Sequence, residues 1–454
     1  MAVSSDFNLL DASDLSETLD LRSQITKLYY ENAFLKANRK PFNIGDAYSL
    51  PPVEDVNNND EYVFVRQFLR ETKSNEVEDR HLVVLNEYAT VDNQYANGFV
   101  HRRIKQYQNS GMRVDVLVCK RKQLSDVYVY DGVTVLTGYI NELLGVLASR
   151  RYKSVSVHFL TFEMWRCLQS NLPESTNLIV YVHGYEVRNW VRIPWEISNR
   201  DNLNAQIERS LQIEDTWKSI FDINSRVDRF VFPSEWWLKA VEEDMGLVIR
   251  KSIVIPNVVD TELFNYVEKD PDQRKNLLWV RNGRKFNYAA DVAAEILRRL
   301  AETPVWESLK ITLVGDGKYF EEFNEFRDCE NVKIIDGYIS QQEISRLHKQ
   351  HGLLLVPTRF DTQGVSRDEG MSSGLIPITS PVAAVPEFVN DSVAILGSED
   401  DFDTWLERII SVIDSPSLFA EYSRKAAEHI RSLRPIQKTI GEEMTLMKKD
   451  RVKC

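Results

Sequence analysis

From Arg80 onward the chain alternates short, almost continuously apolar runs with longer stretches of helical periodicity. The runs at residues 82–85, 114–118, 155–160, 178–182, 229–232 and 252–255 predict strands. Their apolar character is continuous rather than alternating, which marks strands buried on both faces, as in a parallel sheet covered by crossover helices. The same pattern restarts with runs at 276–280, 310–314, 332–335, 353–356, 375–378 and 393–396, interleaved with helices over 288–300 and 342–351. An α/β chain of two doubly wound, Rossmann-like domains follows, at residues 80–260 and 261–430. Residues 256–273 carry no strong period and form the expected hinge. Ligands of such sheets bind beyond the carboxyl ends of the strands, so two facing sheets predict one interdomain cleft.

The flanks read differently. Leu21, Ile25, Leu28 and Leu35 fall at alternating four- and three-residue spacing with Asn32 in the gap, which fits a short coiled coil joining copies of the chain. An amphipathic helix lying on its own chain fits equally, so residues 1–40 are expected to be a helical extension of either kind. Residues 41–79, with Pro51-Pro52 and Asn57-Asn58-Asn59-Asp60, read as a polar linker. Residues 431–454 read as a helical tail, broken at Pro435 and ending in a basic, solvated turn.

Composition narrows the function class. A chain of 454 residues exceeds one ordinary core, and no apolar run approaches the ~20 residues that span a bilayer. The first ten residues lack the basic stretch and long apolar run of an export signal, and Cys119, Cys167, Cys329 and Cys454 form no CxxC pair. A cytoplasmic protein without a disulfide framework or zinc site is expected. The formal charge of −12 disfavours a nucleic-acid partner, so any anionic ligand must be held by a local cluster of cations.

The densest chemistry lies at residues 357–377, Pro-Thr-Arg-Phe-Asp361-Thr-Gln-Gly364-Val-Ser-Arg-Asp-Glu369-Gly-Met-Ser-Ser-Gly374-Leu-Ile-Pro377. The segment follows a buried strand, which puts Asp361 and Gly364 in a loop at a strand's carboxyl end. A helix can begin at Val365, with Glu369 more than a turn inside it and Asp368 facing solvent. Free amides near Gly364 and the positive helix end then suit a diphosphate. Seven residues separate Asp361 from Glu369. With the Pro-Thr before the first acid, the Gly three after it, and the Met, Gly and Pro after the second, the segment resembles glycosyltransferase family 4. Those are retaining enzymes of GT-B architecture.

The resemblance implies that Asp361 takes hydrogen bonds from a donor sugar and that Glu369 holds the nucleotide ribose. Asp361 stands where the family usually has Glu, a reach shorter by about one methylene. Arg281, Arg284 and Lys285 end the strand at 276–280. Alone they read as a polar turn. The family's Arg and Lys at that place stabilise the departing diphosphate, and they match Arg281 and Lys285, with Arg284 as rival. His183, in Tyr181-Val-His183-Gly184, looks like the family's His-Gly step facing the donor sugar, whereas His158 is expected to be a core residue. Gly98, in Ala96-Asn97-Gly98, resembles the glycine loop near the phosphates. Asp316-Gly317 and Asp336-Gly-Tyr338-Ile339 resemble loops around the base, with Tyr338 and Ile339 walling it. Asn257 lies in a hinge segment with Val258 where Gly is usual.

The activity so implied is metal-independent, retaining transfer of a hexose or deoxyhexose from a nucleoside-diphosphate sugar to a glycan or lipid-linked oligosaccharide. Bacterial surface polysaccharide synthesis is the implied setting, with peripheral membrane association where the acceptor is lipid-linked. The nucleotide sugar is a substrate, and no cofactor is expected. Another GT-B enzyme, such as an epimerase or phosphorylase, and a non-catalytic glycan-binding scaffold are the alternatives.

Overall fold

A computed structural model describes residues 46–448 apart from 74–78, 95, 198 and 434. The coiled-coil candidates Leu21 to Leu35 and Cys454 lie outside the described residues.

The first sheet comprises β1 (Arg80–Leu85), β2 (Arg113–Cys119), β3 (Asp126–Tyr130), β4 (Val133–Gly138), β5 (Ser154–His158), β6 (Asn177–Tyr181), β7 (Arg229–Phe232) and β8 (Ser252–Val254). Its order is β3-β4-β2-β1-β5-β6-β7-β8, and only the β3–β4 pairing is antiparallel. Alternation of side chains explains the apolar runs. Leu82 and Val84 enter the core on one face, while Val83 and Leu85 enter the core on the other. The sequence runs missed the hairpin of β3 and β4, because β3 is a largely uncovered edge strand and the buried β4 mixes Thr134, Thr137 and Gly138 with its apolar residues. Asp131-Gly132 turns it, both with positive φ.

The second sheet comprises β9 (Asn276–Val280), β10 (Lys310–Gly315), β11 (Val332–Asp336), β12 (Leu353–Leu355), β13 (Ile376–Thr379) and β14 (Ile395–Leu396), all parallel in the order β11-β10-β9-β12-β13-β14. Winding outward in both directions from β9 and β12 leaves a crevice beyond their carboxyl ends, where the crossovers diverge to opposite faces. β1 and β5 form the corresponding switch point of the first sheet.

One expectation about the flanks is corrected. Residues 46–73 are no linker, because the helices Val53–Asn58 and Val63–Glu71 pack on the first domain and bury Val56, Tyr62, Val65 and Phe68. The Asn-rich run that suggested a linker is their solvent side, with the Asn59 side chain capping the turn at Glu61 N (3.0 Å). The expected helical tail with its break at Pro435 is observed as far as Lys448. After Pro416–Leu433 the chain crosses back, and helix Ile436–Lys448 buries Ile436, Ile440 and Met447 against the first domain.

A buried ion pair fastens that return. Arg103 Nε donates to Glu443 Oε1 at 2.8 Å and Tyr107 Oη to Oε2 at 2.5 Å, with the Arg103 and Glu443 side chains 1% and 0% exposed. Removing one member strands the other without solvent. Glu443→Ala is therefore expected to lower stability in chemical denaturation by about 3–5 kcal/mol. The double variant Arg103→Met/Glu443→Ala should recover part of that loss, and equal or additive losses would contradict the pairing.

Candidate active site

The carboxyl ends of both sheets face one cleft with a cavity of about 630 Å³. Asp361, Glu369, His183, Arg281, Arg284, Lys285, Tyr338, Ile339 and Gly98 all line it. Gly364 does not. Its φ of +102° turns the chain into helix Val365–Ser372, whose first residues Val365 and Ser366 do reach the cleft. An L side chain is strained at that φ, and a Cβ there would also lie 2.9 Å from Arg367 Nη1, so the turn favours glycine.

Arg281 leaves β9 and Asp361 follows β12, so the two flank the switch point of the second sheet. Arg281 Nη1 donates to Pro357 O at 2.9 Å, Nη2 stands 3.6 Å from Asp361 Oδ2, and the guanidinium covers the Tyr288 ring at 4.7 Å. Burial lowers the Arg281 pKa, opposed by Asp361. Arg281 is thus a fixed, buried cation rather than a flexible arm. Arg284 is exposed, bridges to Asp316 Oδ2 at 2.5 Å and lies over Tyr338 at 5.2 Å. Lys285 is exposed and, among the described residues, its ammonium has no partner.

The loop below Asp361 is built on a buried polar clasp. Gln363 Oε1 accepts from Asn257 N (2.6 Å) at the hinge, and its Nε2 donates to Asn257 O (3.0 Å) and Asp368 Oδ2 (3.1 Å). Arg367 donates to Asp368 Oδ1 through Nε (2.9 Å) and Nη2 (2.6 Å). Asp368, expected in solvent, is instead fully buried. Burial raises its pKa against the opposing pull of Arg367. Here the helix is buried from Arg367 to Ser372, and the acid's function is to hold Arg367 and Gln363 in place.

Glu369 is buried and bonded by Arg102 Nη1, whose Nη2 bonds Gln341 Oε1. Burial pushes the Glu369 carboxyl upward, opposed by that guanidinium. Sequence reasoning missed Arg102. Its one available signal is a position four residues after Gly98, on the same helix face. In place of a second glycine, Asn97 takes the left-handed φ of +51° and anchors the loop through Nδ2 to Glu87 O at 2.7 Å.

On the opposite wall the Glu186 carboxylate accepts from His183 N (2.6 Å) and Gly184 N (3.1 Å). The domains meet here, since Thr362 Oγ1 donates to His183 O at 2.8 Å. His158 is buried, as expected, but it is also the partner of His183, with Nδ1 2.8 Å from His183 Nε2 and rings stacked 5.1 Å apart. One nitrogen must donate and the other accept.

Residues 274–415 match the family described as glycosyl transferases group 1. Sucrose-phosphate synthase from Thermosynechococcus elongatus superposes with a TM-score of 0.61 at 14% identity, over 81% of this chain and 98% of that one. The fold is GT-B. WaaG, a glycosyltransferase involved in lipopolysaccharide biosynthesis, superposes with a TM-score of 0.58 at 13% identity, over 81% of this chain and 99% of its own. A phosphatidylinositol N-acetylglucosaminyltransferase component from Arabidopsis thaliana is 22% identical over 174 residues, which are 37% of this chain and 38% of that relative's length. The family match supports glycosyltransferase activity and places its segment on the second sheet, which carries Arg281, Lys285, Asp361 and Glu369. The resemblance to glycosyltransferase family 4 holds, and GT-B is the observed architecture.

The His158–His183 pair yields a pH test. Burial, then the neighbouring charges, hold both pKa values well below the usual imidazole range. The unfolded chain therefore gains protons below about pH 6.5 that the folded chain refuses, and stability contributed above that pH is lost as pH falls. His158→Asn should narrow the drop in melting temperature between pH 7.5 and 5 relative to the native chain. Parallel pH profiles for the two proteins would contradict a buried neutral pair.

Proposed function

We propose that the chain is a retaining, metal-independent glycosyltransferase that moves a hexose or deoxyhexose from a nucleoside-diphosphate sugar to a glycan hydroxyl. The observation that carries this reading is the meeting of Arg281 with Asp361 at the switch point, with exposed Lys285 on the same rim. Fixed cations at that place stabilise charge growing on a departing diphosphate. Arg281 needs no reorganisation during the reaction, because burial and Asp361 already hold it.

In this reading Arg281, Lys285 and the amides at Val365 and Ser366 cradle the diphosphate, with Arg284 at the entrance. Asp361 orients sugar hydroxyls and His183 approaches them from the other wall. Glu369 accepts the ribose hydroxyls, Tyr338 and Ile339 flank the base, and the Gly98 loop closes over the phosphates. The transition state is oxocarbenium-like, and a leaving phosphate oxygen takes the acceptor proton on the same face. The contact of Thr362 with His183 supports a cleft whose closure excludes water and limits donor hydrolysis.

Among the described residues no helix is long and apolar enough to cross a membrane. The similarity to WaaG supports a place in bacterial surface polysaccharide assembly, in the cytoplasm or at the inner face of the membrane when the acceptor is lipid-linked. A helical segment at sequence positions 1–40 would either join copies of the chain or lie on its own chain.

A panel of UDP-, GDP-, ADP- and dTDP-sugars should contain one donor that raises the melting temperature and is turned over. Lys285→Ala should then lower kcat at least ~100-fold with fold and donor thermal protection largely kept, as for loss of one charged transition-state donor. Product anomers read by NMR should match the donor's configuration. Inversion, or activity abolished by EDTA and restored by manganese, would overturn the mechanism.

A further inference from the structure

The first domain contributes one cation to the cleft lining among the described residues, Arg102. Every other cation there, Arg281, Arg284 and Lys285, belongs to the second domain. Arg102 sits one turn after Gly98 on helix Gly98–Asn109, whose N-terminal residues Asn97 and Gly98 also line the cavity. Its side chain is 9% exposed, bonded to Glu369 and Gln341 across the domain boundary and lying over Phe264 at 5.4 Å. Gln341 comes so close that a Cβ on Gly98 would lie 3.2 Å from its Nε2.

This arrangement conflicts with the nucleotide reading unless Arg102 moves. A carboxylate that receives the paired hydroxyls of a ribose has to offer its oxygens to them, and Arg102 now covers Oε1 of Glu369. A guanidinium displaced from a buried carboxylate needs another anion at once, because a desolvated, unpaired charge is strongly unfavourable. Arg102 and Gly98 share a helix face, so the nearest anion a nucleotide brings is the diphosphate at that helix's start.

We propose that Arg102 is a partner-exchanging residue. With no competing anion it neutralises Glu369 and bonds across the domain boundary. In the filled cleft it transfers to the diphosphate and leaves Glu369 to the ribose. The inference rests on the nucleotide reading above and adds a consequence that reading lacks. The phosphates and the nucleoside are coupled through Arg102, because a nucleoside alone must break the Arg102–Glu369 pair without supplying a replacement. Arg102 acts on binding, as a positioning and selectivity residue, and no chemical step passes through it.

The test compares a nucleoside diphosphate with its own nucleoside, using the base identified in the donor screen, by isothermal titration calorimetry on the native chain, Arg102→Ala and Arg102→Lys. Partner exchange requires that only the diphosphate lose affinity when the guanidinium is removed. Arg102→Ala should weaken diphosphate binding about tenfold or more, the value of one charge-assisted hydrogen bond, while nucleoside binding stays equal or tightens. Arg102→Lys keeps the charge without the fork and should restore much of the diphosphate affinity. Equal weakening of both ligands would make Arg102 a structural brace and overturn the proposal, as would unchanged diphosphate affinity. Should no nucleoside diphosphate bind the native chain, the nucleotide reading itself fails, and this inference falls with it. Circular dichroism at the assay temperature accompanies each titration. If Arg102→Ala is unfolded, the Arg102→Gln variant, which retains hydrogen bonding to Gln341, takes its place under the same criteria.

Discussion

The site depends on one buried charge at the end of β9. Arg281 is too enclosed to be neutralised by water, so its cation persists only because Asp361, the Pro357 carbonyl and the Tyr288 ring surround it. That requirement fixes Asp361 on the facing strand end and thereby the loop it starts. Burial lowers the Arg281 pKa, yet from an ordinary value so high that the group stays charged at any physiological pH. A cation of this kind is oriented before any ligand arrives, which is the condition for electrostatic stabilisation without reorganisation.

Around it the structure spends several buried polar groups on holding backbone rather than on touching the cavity. Asp368, Arg367 and Gln363 form a closed set that ends on both backbone atoms of Asn257. The helix bearing Glu369 is therefore tied to the hinge by hydrogen bonds, and rotation at the hinge moves Glu369 and Asn257 together. A similar economy operates at the other edge, where Glu387 accepts from Glu235 N (3.0 Å) and Trp236 N at the start of a first-domain helix. A carboxylate from one domain caps a helix of the other, so closure satisfies amides that would otherwise need water.

What was legible in the sequence follows from the range of the forces involved. Apolar runs exposed both sheets because double burial is a local property of each strand, and the acid spacing from Asp361 to Glu369 exposed the cleft because it lies within one loop and helix. The β3–β4 hairpin was hidden by the exposure of edge strand β3 and the threonines and glycine of β4, and residues 46–73 by polar caps between the buried Val56, Tyr62, Val65 and Phe68. Asp368 and Arg102 were illegible for a different reason. Each is defined by a partner or a covering element brought in by the fold, and a carboxylate next to Glu369 on a helix looks the same in sequence whether it meets solvent or Arg367.

The bonds across the cleft also bear on how the two domains communicate. They are of two kinds: the Glu387 cap joins groups outside the cavity lining, whereas Arg102 and Glu369 join charges that line it, where Thr362 and His183 also meet. A marginal bond such as the Glu387 cap survives ligand entry, because its groups lie outside the cavity lining. Lining charges do not, since any anionic ligand offers the cation an alternative partner within the same low-dielectric space. Opening and closing are then governed at different places, with the margins setting the geometry of the closed state and the lining charges setting how strongly it is favoured. Substitution at the margins should alter that geometry for every ligand alike, and only the lining charges can make closure depend on which ligand is present.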